Sequence, residues 1–160
     1  MSKDVAKTNA MRLLDSAAIP YGGHSYDAED GRIDGKSVAD KLGIAYERIF
    51  KTLVTVGAGG AFYVFVIPVD RELDLKKAAR AAGEKSIEMC PAKELLKHTG
   101  YVHGGCSPLG MKKLFPTFLE ESAILQEQIV FSAGRIGVQI ECAPDDLLAL
   151  VNGEYADLCK

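Results

Sequence analysis

Ile49-Phe50-Lys51-Thr52-Leu53-Val54-Thr55-Val56-Gly57-Ala58-Gly59-Gly60-Ala61-Phe62-Tyr63-Val64-Phe65-Val66-Ile67 is the most strand-like part of the chain. Residues 49–56 read as one strand, 57–60 as a glycine-rich turn and 61–67 as the returning strand of a hairpin. The second strand carries Phe62, Val64 and Val66 on one side and Tyr63, Phe65 and Ile67 on the other. A strand that is apolar on both sides belongs in the middle of a sheet covered on both faces. Lys51 interrupts this apolar run. Burying a lysine without a partner is costly, so it either snorkels at the strand end or points into a cleft that holds an anion. Thr52 faces the opposite side if the strand is regular.

On either side of the hairpin the pattern is helical. Ala10, Leu13, Leu14 and Ala17 recur at helical spacing within residues 7–17, and Pro20 ends that helix. Residues 20–26 read as extended, 27–35 as a loop rich in Asp and Gly, and 37–42 as a short helix stopped by Gly43. Asp74 caps a helix over 75–82 that ends at Gly83. Ile87 and Met89 alternate like a short strand, and Pro91 takes N1 of a helix that closes at Gly100. Residues 101–110 are loop. Leu114, Phe115, Phe118 and Leu119, interrupted by Pro116, fit either a strand or a turn of helix. Ile129, Val130 and Phe131 form a strand. After a turn, Val138, Ile140 and Cys142 face in while Gln139 and Glu141 face out. Pro144 opens the last helix, with Asp145 and Asp146 at the positive end of its dipole. Helices mixed with at least one hairpin predict α+β or mixed α/β rather than an all-parallel sheet.

Composition sets outer bounds. A chain of 160 residues with 48% hydrophobic and 26% charged residues fits one domain spanning 1–160. There is no apolar leader and no run long enough for a membrane span, so no membrane partner is expected. Cys90, Cys106, Cys142 and Cys159 form no Cys-x-x-Cys pair, which reads as thiols in a reducing, cytoplasmic setting. His24, His98 and His103 lack ligand spacing, so no metal is expected. With 19 basic against 22 acidic residues, the net charge of −3 argues against a broad phosphate-tracking surface and against DNA. A small anionic contact stays open.

Two further segments are candidates for chemistry. Gly104-Gly105-Cys106-Ser107-Pro108 can bring backbone amides close to a ligand, or can be only a tight loop. It lacks the spacing of a nucleotide-triphosphate loop. Cys106 near His103 suggests a thiol nucleophile with its base, but nothing in the sequence supplies a lowered pKa or an orienting third group. Ser132-Ala133-Gly134-Arg135 joins two strands and either holds a polar ligand or is an ordinary turn. Tyr26 either closes a pocket with its hydroxyl or packs its ring on the core.

Taken together, Phe50-Lys51-Thr52-Leu53, the run from Gly100-Tyr101-Val102-His103-Gly104-Gly105-Cys106-Ser107-Pro108 to Lys113, and Ser132-Ala133-Gly134 ahead of Pro144 resemble the YbaK/EbsC family. That family comprises free-standing relatives of the editing domain inserted in bacterial prolyl-tRNA synthetases. The resemblance runs over about residues 7–158 and implies a mixed, partly barrel-like sheet core surrounded by helices. It also implies hydrolysis of cysteinyl-tRNA(Pro), with Lys51 as the essential lysine, 104–108 as the Gly-x-x-x-Pro loop, and Tyr26 and Ser132 in the pocket. Thr52 and Gly134 enter the pocket as neighbours within the matching blocks. Gln139 departs from the smaller or acidic residue of close relatives, and Cys106 stands where some relatives carry isoleucine. The implied partners are the 3′ acceptor end of tRNA(Pro) and prolyl-tRNA synthetase, and the implied chemistry needs no cofactor. Deacylation of another small misacylated tRNA such as alanyl-tRNA(Pro), or a non-catalytic tRNA- or synthetase-binding adaptor, are the alternatives.

Overall fold

The computed structural model describes residues 6–160, which form five α-helices and two sheets. In chain order the elements are α1 (Asn9–Ser16), β1 (Gly22–Ser25), α2 (Gly35–Leu42), β2 (Phe50–Gly57), β3 (Phe62–Pro68), α3 (Leu75–Ala82), β4 (Ile87–Met89), α4 (Ala92–Thr99), β5 (Thr117–Glu120), β6 (Ile129–Arg135), β7 (Val138–Cys142), α5 (Pro144–Val151) and β8 (Glu154–Ala156). Short 3₁₀ turns lie at Tyr46–Arg48 and Glu121–Leu125. The class is α+β, and the sheets do not close into a barrel.

The larger sheet has the order β4-β2-β3-β5-β8, which puts β3 at its centre, where its two apolar faces require it to be. Val64 and Val66 join the core shared with Phe131 and Ile140 of the second sheet. Phe65 and Ile67 join a separate cluster with Phe118, Leu158 and the alanines Ala78 and Ala79 of α3. The smaller sheet, β1-β7-β6, carries a third cluster, in which Val130 meets Val38 and Ala39 of α2 together with Ile49 and Val69.

Local chemistry fixes where the helices start and stop. Asp74 accepts from the backbone N–H groups of Lys76 and Lys77, and Gly83 ends α3 in the left-handed region. Gly43 and Gly100 end α2 and α4 in the same way, and Pro144 begins α5. Pro91 sits one place earlier than expected, as the N-cap of α4 rather than its first helical residue. The ambiguous segment around Pro116 resolves as β5. That strand begins immediately after the proline and runs parallel to β3, with the Val64 N–H donating to the Pro116 carbonyl.

Gln139 and Glu141 were expected to face outward and do not. Gln139 is only 6% exposed, and Glu141 is half-buried between His24 and Arg48, at 2.6 and 2.9 Å. Alternation reads one covered face per strand, whereas α2 covers the second face of this sheet as well.

Candidate active site

The hydrogen-bond register of β2 opens a window in the larger sheet. Val69 donates to the Ile49 carbonyl and Gly57 to the Ala61 carbonyl, so odd-numbered residues of β2 exchange hydrogen bonds with β3. The backbone groups of Phe50, Thr52 and Val54 therefore point the other way. At one end of that edge Ile49 bridges to Val130 of β6, and at the other Cys90 donates to the Val54 carbonyl and β4 pairs from Thr55 onward. Between these two closures the N–H and C=O of Thr52 face an uncovered strand edge. The Thr52 hydroxyl is buried there as well and has no hydrogen-bond partner. A buried hydroxyl left unpaired costs about 1–3 kcal/mol, so a polar group or water that bonds it here is favoured.

A cavity of about 530 Å³ lies along this edge. All five residues of β2 from Phe50 to Val54 border it. Side chains alternate between faces along a strand, so a cavity touching five in succession abuts the edge and not one face. The remaining walls come from Asp34, Gly35, Lys36 and Val38 at the start of α2, from Met89 and Cys90 of the β4 end, from Ala92 and Leu95 of α4, from His103, Gly104 and Cys106, and from Ser132 and Gln139. Ser132 and Gln139 are directly opposed across β6 and β7, which puts both side chains on one face.

Lys51 lies opposite Ile67 in the hairpin and Thr52 opposite Val66, so they leave the strand on opposite faces. The Lys51 ammonium is half-buried, and among the described residues no carboxylate lies within ion-pair distance. Burial pushes its pKa below the ordinary lysine value, against the pull of Cys159, Glu72 and Asp70. Lys36 adds a second cation to the cavity wall. Such a site attracts an anion. Asp34, on the same wall, is held ionised: hydrogen bonding to the Ser37 side chain first, and the Ser37 N–H that it accepts as the N-cap of α2 second, keep its carboxyl below the usual carboxylate range, so one carboxylate faces two ammonium groups.

The 104–108 loop is split between wall and foundation. Gly104, with φ +87°, presents backbone to the cavity, and a β-carbon there would meet Ile33 Cδ1 at 2.5 Å. Cys106 touches the cavity, but its thiol is pushed up to about 12, first by burial and then by the neighbouring Cys90. A thiol held protonated at neutral pH is a poor nucleophile. Ser107 is buried, with its hydroxyl accepting the Leu109 N–H, and Pro108 is buried behind it. Gly105 packs against the Ile136 backbone and Gly134 against the Tyr101 ring.

Of the residues singled out in the sequence, Lys51, Thr52, His103, Gly104, Cys106, Ser132 and Gln139 meet at this cavity. Gly105, Ser107, Pro108 and Gly134 lie outside the lining, and Pro108 borders a different concavity with Leu109, Met111 and Phe115. Tyr26 is also outside the lining. It packs with the cluster of Val38 and Ile49 that backs the cavity, its hydroxyl buried without a partner. Lys36, Cys90 and the α2 start were not anticipated. The Asp34-Gly35-Lys36-Ser37 run carries a helix-start signal, but nothing in it shows that this helix start borders a site. Among the described residues no group of three or more His, Cys, Asp or Glu is placed to hold a metal ion.

An α+β module with a small cavity between a strand edge, a cationic rim and a glycine-containing loop can take a small polar ligand that carries negative charge. The chain belongs to the aminoacyl-tRNA editing domain family, whose model matches residues 34–150. It is 49% identical over 156 residues to a protein of Enterococcus faecalis provisionally named Cys-tRNA(Pro)/Cys-tRNA(Cys) deacylase EbsC, covering 98% of this chain and 95% of that one. It is 34% identical over 79 residues to a proline–tRNA ligase of Thermosipho africanus, covering 49% of this chain and 14% of the ligase. A crystal structure provisionally described as a trans-editing enzyme for prolyl-tRNA synthetase superposes with a TM-score of 0.81 at 25% identity, covering 97% of this chain and 99% of that one.

Proposed function

We propose that this protein is an aminoacyl-tRNA deacylase that removes cysteine from tRNA(Pro), using the thiol of the bound cysteinyl group as the nucleophile. The observation that carries this reading is the uncovered Thr52 edge and half-buried Lys51 around a cavity whose own candidate nucleophile, Cys106, is held protonated. The site offers placement and charge, and the substrate brings the reactive sulfur.

In this mechanism the substrate sulfur attacks its own ester carbonyl, the bond from that carbon to the ribose oxygen breaks, and the thiol proton passes to the departing oxygen. The products are a four-membered thiolactone and tRNA with a free hydroxyl; water then opens the thiolactone to cysteine. Holding thiol and carbonyl together removes entropic cost, and ring strain returns part of that gain. The Thr52 N–H suits the carbonyl oxygen as negative charge develops, and the Lys51 ammonium suits that charge or the terminal phosphate. Specificity for tRNA(Pro) fits a supply by prolyl-tRNA synthetase, in keeping with the relatives that carry this domain within a proline–tRNA ligase.

Gln139 favours a second reading. Its amide beside Ser132 can hold a water against the ester of a substrate without a thiol, such as alanyl-tRNA(Pro). One experiment ranks the two: the protein is incubated with tRNA(Pro) carrying cysteine or 2-aminobutyrate, which is similar in size and lacks sulfur. Cysteine is expected to be lost at least about a hundredfold faster. Comparable rates for both esters rule out dependence on the substrate thiol.

A further inference from the structure

A second concavity, of about 440 Å³, is bordered by the C-terminal turn of α4. Lys97, His98, Lys112 and Lys113 line it together with the rings of Phe62 and Phe115. The Phe62 ring centroid is 4.3 Å from that of His98 and 5.4 Å from that of Phe115, so the three rings form one partly exposed apolar floor. Lys112 is tied to α4, its backbone N–H donating to Thr99 and its ammonium to the Lys97 carbonyl at 3.4 Å, which gathers the lysines at one rim. Lys93 lies one helical turn before Lys97 on the same exposed face. The one carboxylate paired within this group is Glu94, 3.3 Å from His98. Lys97 and Lys113 are exposed and make no ion pair among the described residues. On a chain with a net charge of −3, three lysines around an aromatic floor are a local reversal of sign.

We infer that this cleft is a second RNA contact, which takes the ribose-phosphate backbone of the acceptor arm while its 3′ end occupies the editing cavity. The inference rests on the proposed tRNA substrate. Alternating lysines and aromatic rings are the combination that tracks a nucleic-acid strand, with ammonium groups on phosphates and rings under sugar or base. Continuity supports the assignment. α4 sends Ala92 and Leu95 into the editing cavity and Lys97 and His98 into the cleft, and the segment after it sends Gly104 and Cys106 to one side and Lys112 and Lys113 to the other. The cleft gives an acidic protein a grip on tRNA that does not depend on base sequence.

The test is the affinity of the full chain for deacylated tRNA(Pro) as a function of salt. The double variant Lys97→Glu/Lys113→Glu is expected to bind about tenfold or more weakly, with the slope of log K against log salt reduced by about two, one for each lost phosphate contact. Lys97→Gln/Lys113→Gln guards against misfolding caused by the introduced acids, and is expected to lose the same slope with a smaller loss of affinity. Lys76→Glu on α3, away from both cavities, is expected to change neither. Affinity and slope within twofold of wild type in both double variants overturn the inference, as does a loss confined to binding of prolyl-tRNA synthetase, which would make the cleft a protein interface. Because the readout is binding, its failure is separate from failure of the proposed function, which shows as wild-type protein that hydrolyses no aminoacyl-tRNA.

Discussion

Lys51 is the residue at which stability and activity are expected to part. Its folded pKa is depressed, so the native state binds this proton less tightly than the unfolded chain does. The charged form therefore costs stability at neutral pH, and the cost fades as pH rises through the depressed value toward the unfolded one of 10.5. Lys51→Met keeps the length of the side chain and removes the charge. It is expected to melt at the same temperature or higher while kcat/KM on cysteinyl-tRNA(Pro) falls by about 10²–10³. A melt and a single-turnover assay on one sample check this; a structural lysine would show the reverse, a lower melting temperature with activity retained. Lys51 stood out in the sequence as a charge inside an apolar strand. Thr52 was legible only through its neighbours in the motif, because its role comes from an edge left uncovered between a bridge at Ile49 and a pairing that starts at Thr55.

Elements whose pattern repeats within a few residues were readable, and those fixed by distant partners were not. The β2–β3 hairpin, the Asp74 cap and the glycine ends of α2, α3 and α4 match the sequence because each depends on adjacent chemistry. β8 was missed altogether. It has three residues, an exposed Glu154 followed by the half-buried Tyr155 and Ala156, and it exists because α5 returns the chain beside β5. The link between the β6–β7 turn and the 100–113 segment is of the same kind. Tyr101 donates to the Leu109 carbonyl and lies against Gly134, where a β-carbon would meet its Cε1 at 2.8 Å. Gly134 also has φ +96°, so alanine there adds backbone strain to the collision. Gly134→Ala is expected to lose about 2–3 kcal/mol, from about 1–2 for the strained backbone and about 1 for the displaced hydrogen bond. It should also slow deacylation, since Tyr101 pins the segment that carries Gly104 to the cavity. Urea unfolding beside the tRNA assay tests both parts; a loss of only about 1–2 kcal/mol would show that Tyr101 moves aside freely and that backbone strain alone remains, and a loss under about 0.5 kcal/mol would overturn both contributions.

At the scale of the whole molecule, composition described the protein's average charge and hid how that charge is distributed. The net charge of −3 argued against a phosphate-tracking surface, while the fold collects Lys97, Lys112 and Lys113 from two segments onto one rim. Burial of three thiols makes the entire fold sensitive to alkali. Cys106, Cys142 and Cys159 are each pushed up to about 12 by burial, from an ordinary value of 9.0. A raised acid keeps its proton in the folded state after the unfolded chain has lost it, so the stability they contribute is whole below about pH 9 and drains away as pH climbs toward 12. Each pH unit in that window costs about 1.4 kcal/mol per thiol, so three thiols together cost up to about 4 kcal/mol per unit against a total stability of about 5–15. The urea midpoint is therefore expected to hold between about pH 7 and 8.5 and to fall steeply from about 9 to 10.5. Cys142→Ala should shift the whole curve down through the small void it leaves and flatten the alkaline limb by up to about a third, since Cys90, Tyr101 and Tyr155, also raised by burial, share that limb. An alkaline limb of unchanged slope in that variant would mean that the thiol ionises through local opening of β7, without the cooperative unfolding that the fully buried Cys142 implies.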